Sequence, residues 1–496
     1  MRHGASRDGK LRNVRARLLI DGGAYASSSS AVIGNASTFA CGPYEVPNAL
    51  VEGTCVYTNN PPCGAMRGFG AVQACFAFEA QMDKLANALG VDPVEIRVQN
   101  ALSTGSGLPT GQVIRGSAPV REVIERCAAI PMPEEGGPAS RDPVTLPGGA
   151  GNVTHGEGIT RGVGFAVGYK NIAYSEGFDD SSEARVTLSL GADGRPLAEV
   201  HCAASEVGQG VHTILAQIAR QELGLENVIL HPSDTFVGSA GSSSASRQTM
   251  MSGGAVQLAC RAVKEELEKR AGHAVSGAEG AEYLGEPITA TRAYHHRPTQ
   301  PLDENGQGDI HVSLAFAAER AVVDVDTELG LVRVVQIAAA QDVGHAINPQ
   351  NVSGQVEGGT AQGLGLALME EIQLADGRVK NASFTDYLIP TILDMPPVVS
   401  ELIEDPEPDV PFGAKGVGEP STIVAPAAIA AALRDATGRE VNRIPVKPDD
   451  LIGLNEPVKP RQPWPPSPEV PGPKPIPEYV GLGAGQQELG GEGGKG

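Results

Sequence analysis

Hydrophobic residues recur along this chain with two distinct periods. Val186-Thr-Leu-Ser-Leu190 and Leu197-Ala-Glu-Val200 flank Gly191-Ala-Asp-Gly194, a pattern that predicts a β-hairpin. The same plan returns at Val322-Val-Asp-Val325, a turn over 326–330, and Leu331-Val-Arg-Val334. Helical spacing follows the first hairpin at Ile214, Leu215 and Ile218, with Gly224 as a stop. It is also clean at Phe78, Met82, Leu85 and Leu89, closed by Gly90, and at Val256, Cys260, Val263 and Leu267, closed by Gly272. An Ala-rich helix is expected around Ile429 and Leu433. Strands alternating with helices through glycine loops predict an α+β, or mixed α/β, protein.

Composition sets the boundaries between these pieces. The chain has 496 residues, enough for two or three domains, and 63 Gly with 38 Pro signal many tight loops. Residues 131–158 are rich in Pro and Gly and read as a linker between a folded piece at 1–130 and a second at 159–455. Residues 272–308, which carry the His295-His296 pair, read as a polar connecting stretch. From 456 to 496 the chain turns Pro-rich and then Gly-rich, the composition of a disordered tail.

Charge removes whole classes of function. A formal net charge of −21 argues against nucleic acid and against an anionic membrane surface as partners. No apolar run approaches the ~20 residues of a membrane span, and the first residues do not read as a signal peptide, so a cytoplasmic location is expected. The seven Cys are scattered without a Cys-x-x-Cys pair, which disfavours a disulfide scaffold, a structural zinc or an iron–sulfur cluster within this chain.

Five segments combine glycine with polar groups where backbone can approach a ligand closely: 62–70, 206–210, 241–246, 354–358 and 413–420. The second, third and fourth precede expected helices, an arrangement suited to an anion or phosphate. A complete G-x-G-x-x-G after a strand and a Walker loop are both missing, so the residues alone indicate a large polar cofactor held among loops. Glu419, between Gly418 and Pro420, is a candidate general base if its turn is buried; spacing alone favours a surface turn glutamate. Arg67, flanked by glycines with Phe69 two residues on, is suited either to developing negative charge or to a surface acid.

In this order the loops resemble the molybdenum hydroxylases of the xanthine dehydrogenase and aldehyde oxidoreductase family, in their molybdopterin-binding subunit. The matching motifs are Ala65-Met-Arg-Gly-Phe-Gly70, Gly208-Gln-Gly210, Ala245-Ser246 with Gln248 and Thr249 beyond, Gly354-Gln-Val-Glu-Gly358 and Gly418-Glu419-Pro420, and the similarity runs from about residue 2 to 455. The resemblance implies oxidative hydroxylation with water as the oxygen source, and it makes Glu419 the active-site base. Arg67 and Ala245 would lie near the molybdenum, which the cofactor rather than a protein side chain ligates. Phe69 and Tyr169 would sandwich a planar heterocycle. Gly208, Gln209, Ala245, Ser246, Gln248, Thr249, Gln355 and Gly418 would contact a molybdopterin, in bacteria often its cytosine dinucleotide form. Carbon monoxide dehydrogenases resemble the family but carry a cysteine after the loop arginine, where this chain has Gly68; the implied substrate is therefore a purine or an aldehyde.

The family's substrate-orienting glutamate and arginine, its Gly-Gly-Phe-Gly-Gly loop and its apical glutamine are not found here, and are expected upstream of Met1. Iron–sulfur and flavin groups would sit on partner chains. Residues 1–130 would then be the back part of a first cofactor-binding domain, with strand edges awaiting a partner. The expected activity is hydroxylation of xanthine or hypoxanthine; the alternatives are another N-heterocycle, an aldehyde, or a truncated non-catalytic remnant.

Overall fold

The structure, a computed structural model, describes residues 1–134, 146–148 and 158–454. Most of the expected linker at 131–158 and all of the expected tail at 456–496 lie outside the described residues. The chain opens with strands β1 (Arg2–Ala5) and β2 (Leu11–Gly23), helix α1 (Ser29–Thr38) and strand β3 (Ala49–Tyr57). Helices α2 (Ala71–Leu89), α3 (Pro93–Asn100) and α4 (Val120–Ala129) follow. After residue 158 come β4 (Ile159–Ile172), β5 (Ser181–Leu190), β6 (Pro196–Cys202), α5 (Val211–Leu223), β7 (Val228–Leu230), α6 (Gln248–Ala271) and β8 (Ile288–His295). Then β9 (Ser313–Asp326), β10 (Leu331–Asp342), α7 (Pro349–Leu368), the short strands β11 (Leu374–Ala375) and β12 (Arg378–Val379), β13 (Val398–Ile403), α8 (Pro420–Thr437) and α9 (Pro448–Ile452) complete it.

Among the described residues three larger sheets, ordered β1-β2-β3, β13-β10-β9-β4 and β7-β6-β5-β8, and the two-stranded β11-β12 ladder organise these elements. Both expected hairpins form, as β5–β6 and β9–β10. Ala184, Val186 and Leu188 alternate inward on β5 against α5 and α6, the pattern of a sheet with one wet face. β9 is buried along nearly its whole length, because helices cover both of its faces. The main core joins Phe78 and Met82 of α2, Phe165 of β4, Val323 of β9 and Ile429 of α8, and so draws on residues before and after 131–158. No described helix is long and apolar enough to cross a membrane.

Two expectations are corrected. The 272–308 stretch contains β8, which pairs with β5 from Ser181↔His295 to Leu188↔Ile288. It reads as polar because an edge strand gains its order from backbone hydrogen bonds while its outer face stays wet. The 354–358 segment is not a loop before a helix but lies inside α7, which starts at Pro349 with Asn348 as its cap. Its glycine content hid it, since glycine is a poor helix former.

Glycine serves here to bring backbones together. A methyl group on Gly164 of β4 would lie 2.2 Å from Ala428 O of α8, and one on Gly359 of α7 would lie 2.0 Å from Ser421 Oγ. Helix α8 therefore lies directly on β4 and α7, and that contact sets where its first residue stands.

Candidate functional site

Glu419 immediately precedes α8 and is 8% exposed. Its carboxylate does not cap its own helix. Gly68 N–H donates to Oε1 at 3.1 Å, Ser246 Oγ–H donates to Oε2 at 3.3 Å, and Lys170 Nζ lies 3.9 Å from Oε2. The surface-turn reading is thereby corrected: three segments remote in sequence converge on this carboxylate.

Arg67 closes the cluster from the other side. Its Nε donates to Gly418 O, Nη1 to Gln362 Oε1 at 3.1 Å, and Nη2 to Gln355 O and Oε1 at 3.1 and 3.2 Å. Burial pushes its guanidinium below the usual range, and the Glu419 carboxylate opposes that. Arg67 thus ties α7 to the turn that carries the glutamate. Its own turn is tight: Gly68, Phe69 and Gly70 have φ of +91, +47 and +90°, and Phe69 bears the strain of a left-handed non-glycine residue.

The Ala245-Ser246 pair is the second strained element, with φ of +49 and +47°. Ala245 O accepts from Ala173 N at 3.0 Å, and a methyl group on Gly416 would lie 1.6 Å from Ser246 O. The 245–246 loop and the 416–419 turn are therefore in backbone contact. Gln248 braces this loop, donating to Ala240 O at 3.2 Å and Ser242 O at 3.1 Å and accepting from Ser252 Oγ at 2.5 Å. Its carboxamide is bonded within its own loop and first helical turn. Thr249 stands half-buried in the first turn of α6.

The 206–210 segment differs from the expected anion cradle. Gly208 N, Gly210 N and His212 N donate to the Glu206 carboxylate at 2.7, 3.0 and 3.0 Å. Burial raises that carboxyl, but the N–H donors outweigh it and hold Glu206 below the ordinary value. Gln209 folds back on Ser205 O, and its own carbonyl accepts from Gln355 Nε2 at 3.5 Å. Gln355 is thus shared between Arg67 and the 208–210 turn.

Tyr169 is also corrected. It is 2% exposed, edge-on to Phe39 at 4.6 Å and stacked with Phe316 at 6.0 Å. A ring enclosed by core aromatics offers no face to a substrate. Phe69, by contrast, is half-buried at the turn beside the cluster.

Two lysines escaped the sequence reading. Lys170 is fully buried on β4 beside Glu419. Lys415, inside the 413–420 motif, pairs with Asp342 at 2.7 Å and donates to Ser117 O at 3.0 Å. Burial pushes the Asp342 carboxyl up to about 6 despite Lys415. A lysine is ordinarily a surface residue, and nothing in either one's sequence neighbourhood marks it as buried.

The arrangement can receive a proton at Glu419 and can hold a flat polar group against Arg67, Gln355 and the Ala245-Ser246 loop. Two glycines beside this cluster keep an open face: a methyl on Gly208 would meet nothing within 4 Å, and one on Gly358 only Arg67 Nη1 at 3.9 Å. Amide, guanidinium and backbone donors of this kind suit a pterin with its phosphate, and the residues present fit that group.

Sequence comparison agrees. Two molybdopterin cofactor-binding domain profiles match residues 1–101 and 150–396. The chain is 32% identical over 472 residues to one subunit of a probable xanthine dehydrogenase of Bacillus subtilis, covering 90% of this chain and 60% of that protein. It is 31% identical over 479 residues to a putative xanthine dehydrogenase molybdenum-binding subunit of Escherichia coli, covering 90% and 61%. The solved aldehyde oxidoreductase of Desulfovibrio gigas superposes with a TM-score of 0.78 at 28% identity, covering 91% of this chain and 48% of that one. Fold and site together define a molybdopterin-binding protein. The chain belongs to the xanthine dehydrogenase and aldehyde oxidoreductase family of molybdenum hydroxylases. It spans about 60% of the length of the two curated relatives.

Proposed function

We propose that this chain forms the cofactor-holding, proton-accepting part of a hydroxylase for an electron-poor purine, xanthine or hypoxanthine, with water as the oxygen source. The observation that carries this reading is the buried Glu419 carboxylate, bonded to Gly68 N–H and Ser246 Oγ–H instead of to its own helix. Bound here, a molybdenum–molybdopterin group would supply the two-electron oxidation, for which the side chains around Glu419 hold no redox group. Glu419 accepts the proton released as water oxygen becomes nucleophilic. Arg67, Ala245, Ser246, Gly208, Gln209, Thr249, Gln355 and Gly418 line the approach to it, and Phe69 offers the flat wall. The cytosine dinucleotide form of the cofactor belongs to the same proposal.

Xanthine dehydrogenase names on two relatives support the purine; the aldehyde oxidoreductase likeness supports an aldehyde as the second reading. Electrons leave through iron–sulfur and flavin partners, and the relatives' further length completes the substrate pocket. We assign 1–130 to the end of a first cofactor-binding domain and 159–455 to a second. Seven free cysteines support a reducing, cytoplasmic setting.

Glu419→Gln tests the reading in the completed, metal-loaded enzyme. Turnover of xanthine should fall by roughly 10²–10⁴-fold or more, with molybdenum content unchanged. Loss of the metal, or retained turnover, would remove Glu419 from the role of base.

A further inference from the structure

Lys170 presents a buried cation that the proposed chemistry does not yet use. Its side chain is 1% exposed and its Nζ stands 3.9 Å from Glu419 Oε2, beyond hydrogen-bond reach. What holds it is a separate cage. Its near acceptor is Asn171 Oδ1, which also accepts from Asn35 Nδ2 of α1 at 3.2 Å. Asn171 Nδ2 in turn donates to Ala173 O and Ser175 Oγ, each at 2.9 Å. The Phe39 ring lies 5.6 Å from Nζ, a cation–π contact.

The comparison with Lys415 is informative. That lysine, equally buried, bonds its carboxylate directly at 2.7 Å, as a cation with a structural duty does. Lys170 stops short of its carboxylate, and Glu419 spends its oxygens on Gly68 N–H and Ser246 Oγ–H. A neighbouring charge held at this separation acts through its field without tying up the lone pair that must take a proton.

We propose that Lys170 is the positioning residue for Glu419: its buried positive charge keeps the carboxylate ionised and fixed in place without binding the oxygen that receives the proton. This rests on the reading of Glu419 as the base. The groups facing Glu419 are Arg67 from the turn before α2, Ser246 from the loop before α6, the Gly68 N–H and Lys170 from β4. Glu176 and His311 also interact with the Lys170 charge. Burial pushes the Lys170 ammonium below its usual range, and the Glu419 and Glu176 carboxylates only partly offset that. Burial also pushes the His311 imidazole down to about 3, assisted by Lys170 and Arg297, so that ring stays neutral and adds no charge near neutral pH.

The test is a titration of the Glu419 carboxyl in the full-length chain, followed by infrared difference spectroscopy with ¹³C-glutamate and assigned by the band missing in Glu419→Gln. Lys170→Met and Lys170→Gln remove the charge; Lys170→Gln keeps a partner for Asn171, and either variant decides the matter once circular dichroism shows it folded. The midpoint should rise by about 1–3 pH units in both and return toward the parent value in Lys170→Arg. In the loaded enzyme the acid limb of kcat/KM should move by the same amount at constant molybdenum content. An unmoved midpoint in the neutral variants would overturn the proposal and leave Arg67 as the counter-charge. A fully active Glu419→Gln enzyme would instead sink the assignment of the base, while the titration still decides what Lys170 does to its neighbour.

Discussion

Glu319 of β9 is 1% exposed, and its Oε1 accepts from Thr360 Oγ1 of α7 at 2.9 Å. Burial pushes its carboxyl from an ordinary 4.5 up to about 8, and the Thr360 bond only partly offsets that. Between those values the folded chain holds a proton that the unfolded chain has released. Stability therefore falls as pH rises through this window, by about 1.4 kcal/mol per pH unit at its steepest. Glu319→Gln should flatten the slope, measured by urea unfolding at pH 5 and pH 8; a slope unchanged by the substitution would place the proton elsewhere. Residues of this kind mark where reading a sequence stops. Glu419 and Arg67 stood out because motifs surround them. Lys170, Lys415 and Glu319 did not, because burial is a property of what packs against a side chain. Tyr169 was misassigned for the same reason, an aromatic at a site's edge and one in the core being alike in sequence.

At the scale of elements, α8 is the piece that aims the site. Gly164→Ala would set a methyl group 2.2 Å from both Ala428 O and Ala432 N. Backbone cannot swing aside as a side chain can, so the substitution should cost about 1–3 kcal/mol or more. Gly354 of α7 provides the contrast, since a methyl there meets nothing within 4 Å. Gly354→Ala should leave stability unchanged or raise it by up to about 1 kcal/mol through helix propensity alone. Denaturant midpoints of the two variants would separate the roles, and equal losses would contradict this account. The hairpins and the helices ending at Gly90, Gly224 and Gly272 were legible because period and stop signal agree. Helix α7 and strand β8 were not, one being hidden by glycine and the other by a polar outer face.

At the scale of the whole molecule, β3 carries no buried residue and Tyr57 at its end is 75% exposed. Phe384 and Ile392 are 84% and 89% exposed. Apolar side chains left in water mark a surface for another polypeptide where they form one contiguous patch. Co-production with a polypeptide supplying the relatives' further length, in a host that makes the cofactor, should raise molybdenum to near one per chain by elemental analysis. The chain purified alone should carry much less. No metal in either sample would favour the non-catalytic remnant instead.

By itself the sequence determined the mixed α/β class, the turns that demand glycine and the family motifs, all of which depend on residues close together in the chain. Only the tertiary structure decided that Glu419 is buried, that Gly68, 351 residues away, donates to it, and that Lys170 stands 3.9 Å from it without a hydrogen bond. The reason is physical. A side chain's charge state and chemistry depend on the dielectric and the partners around it, and those come from distant segments brought together by packing.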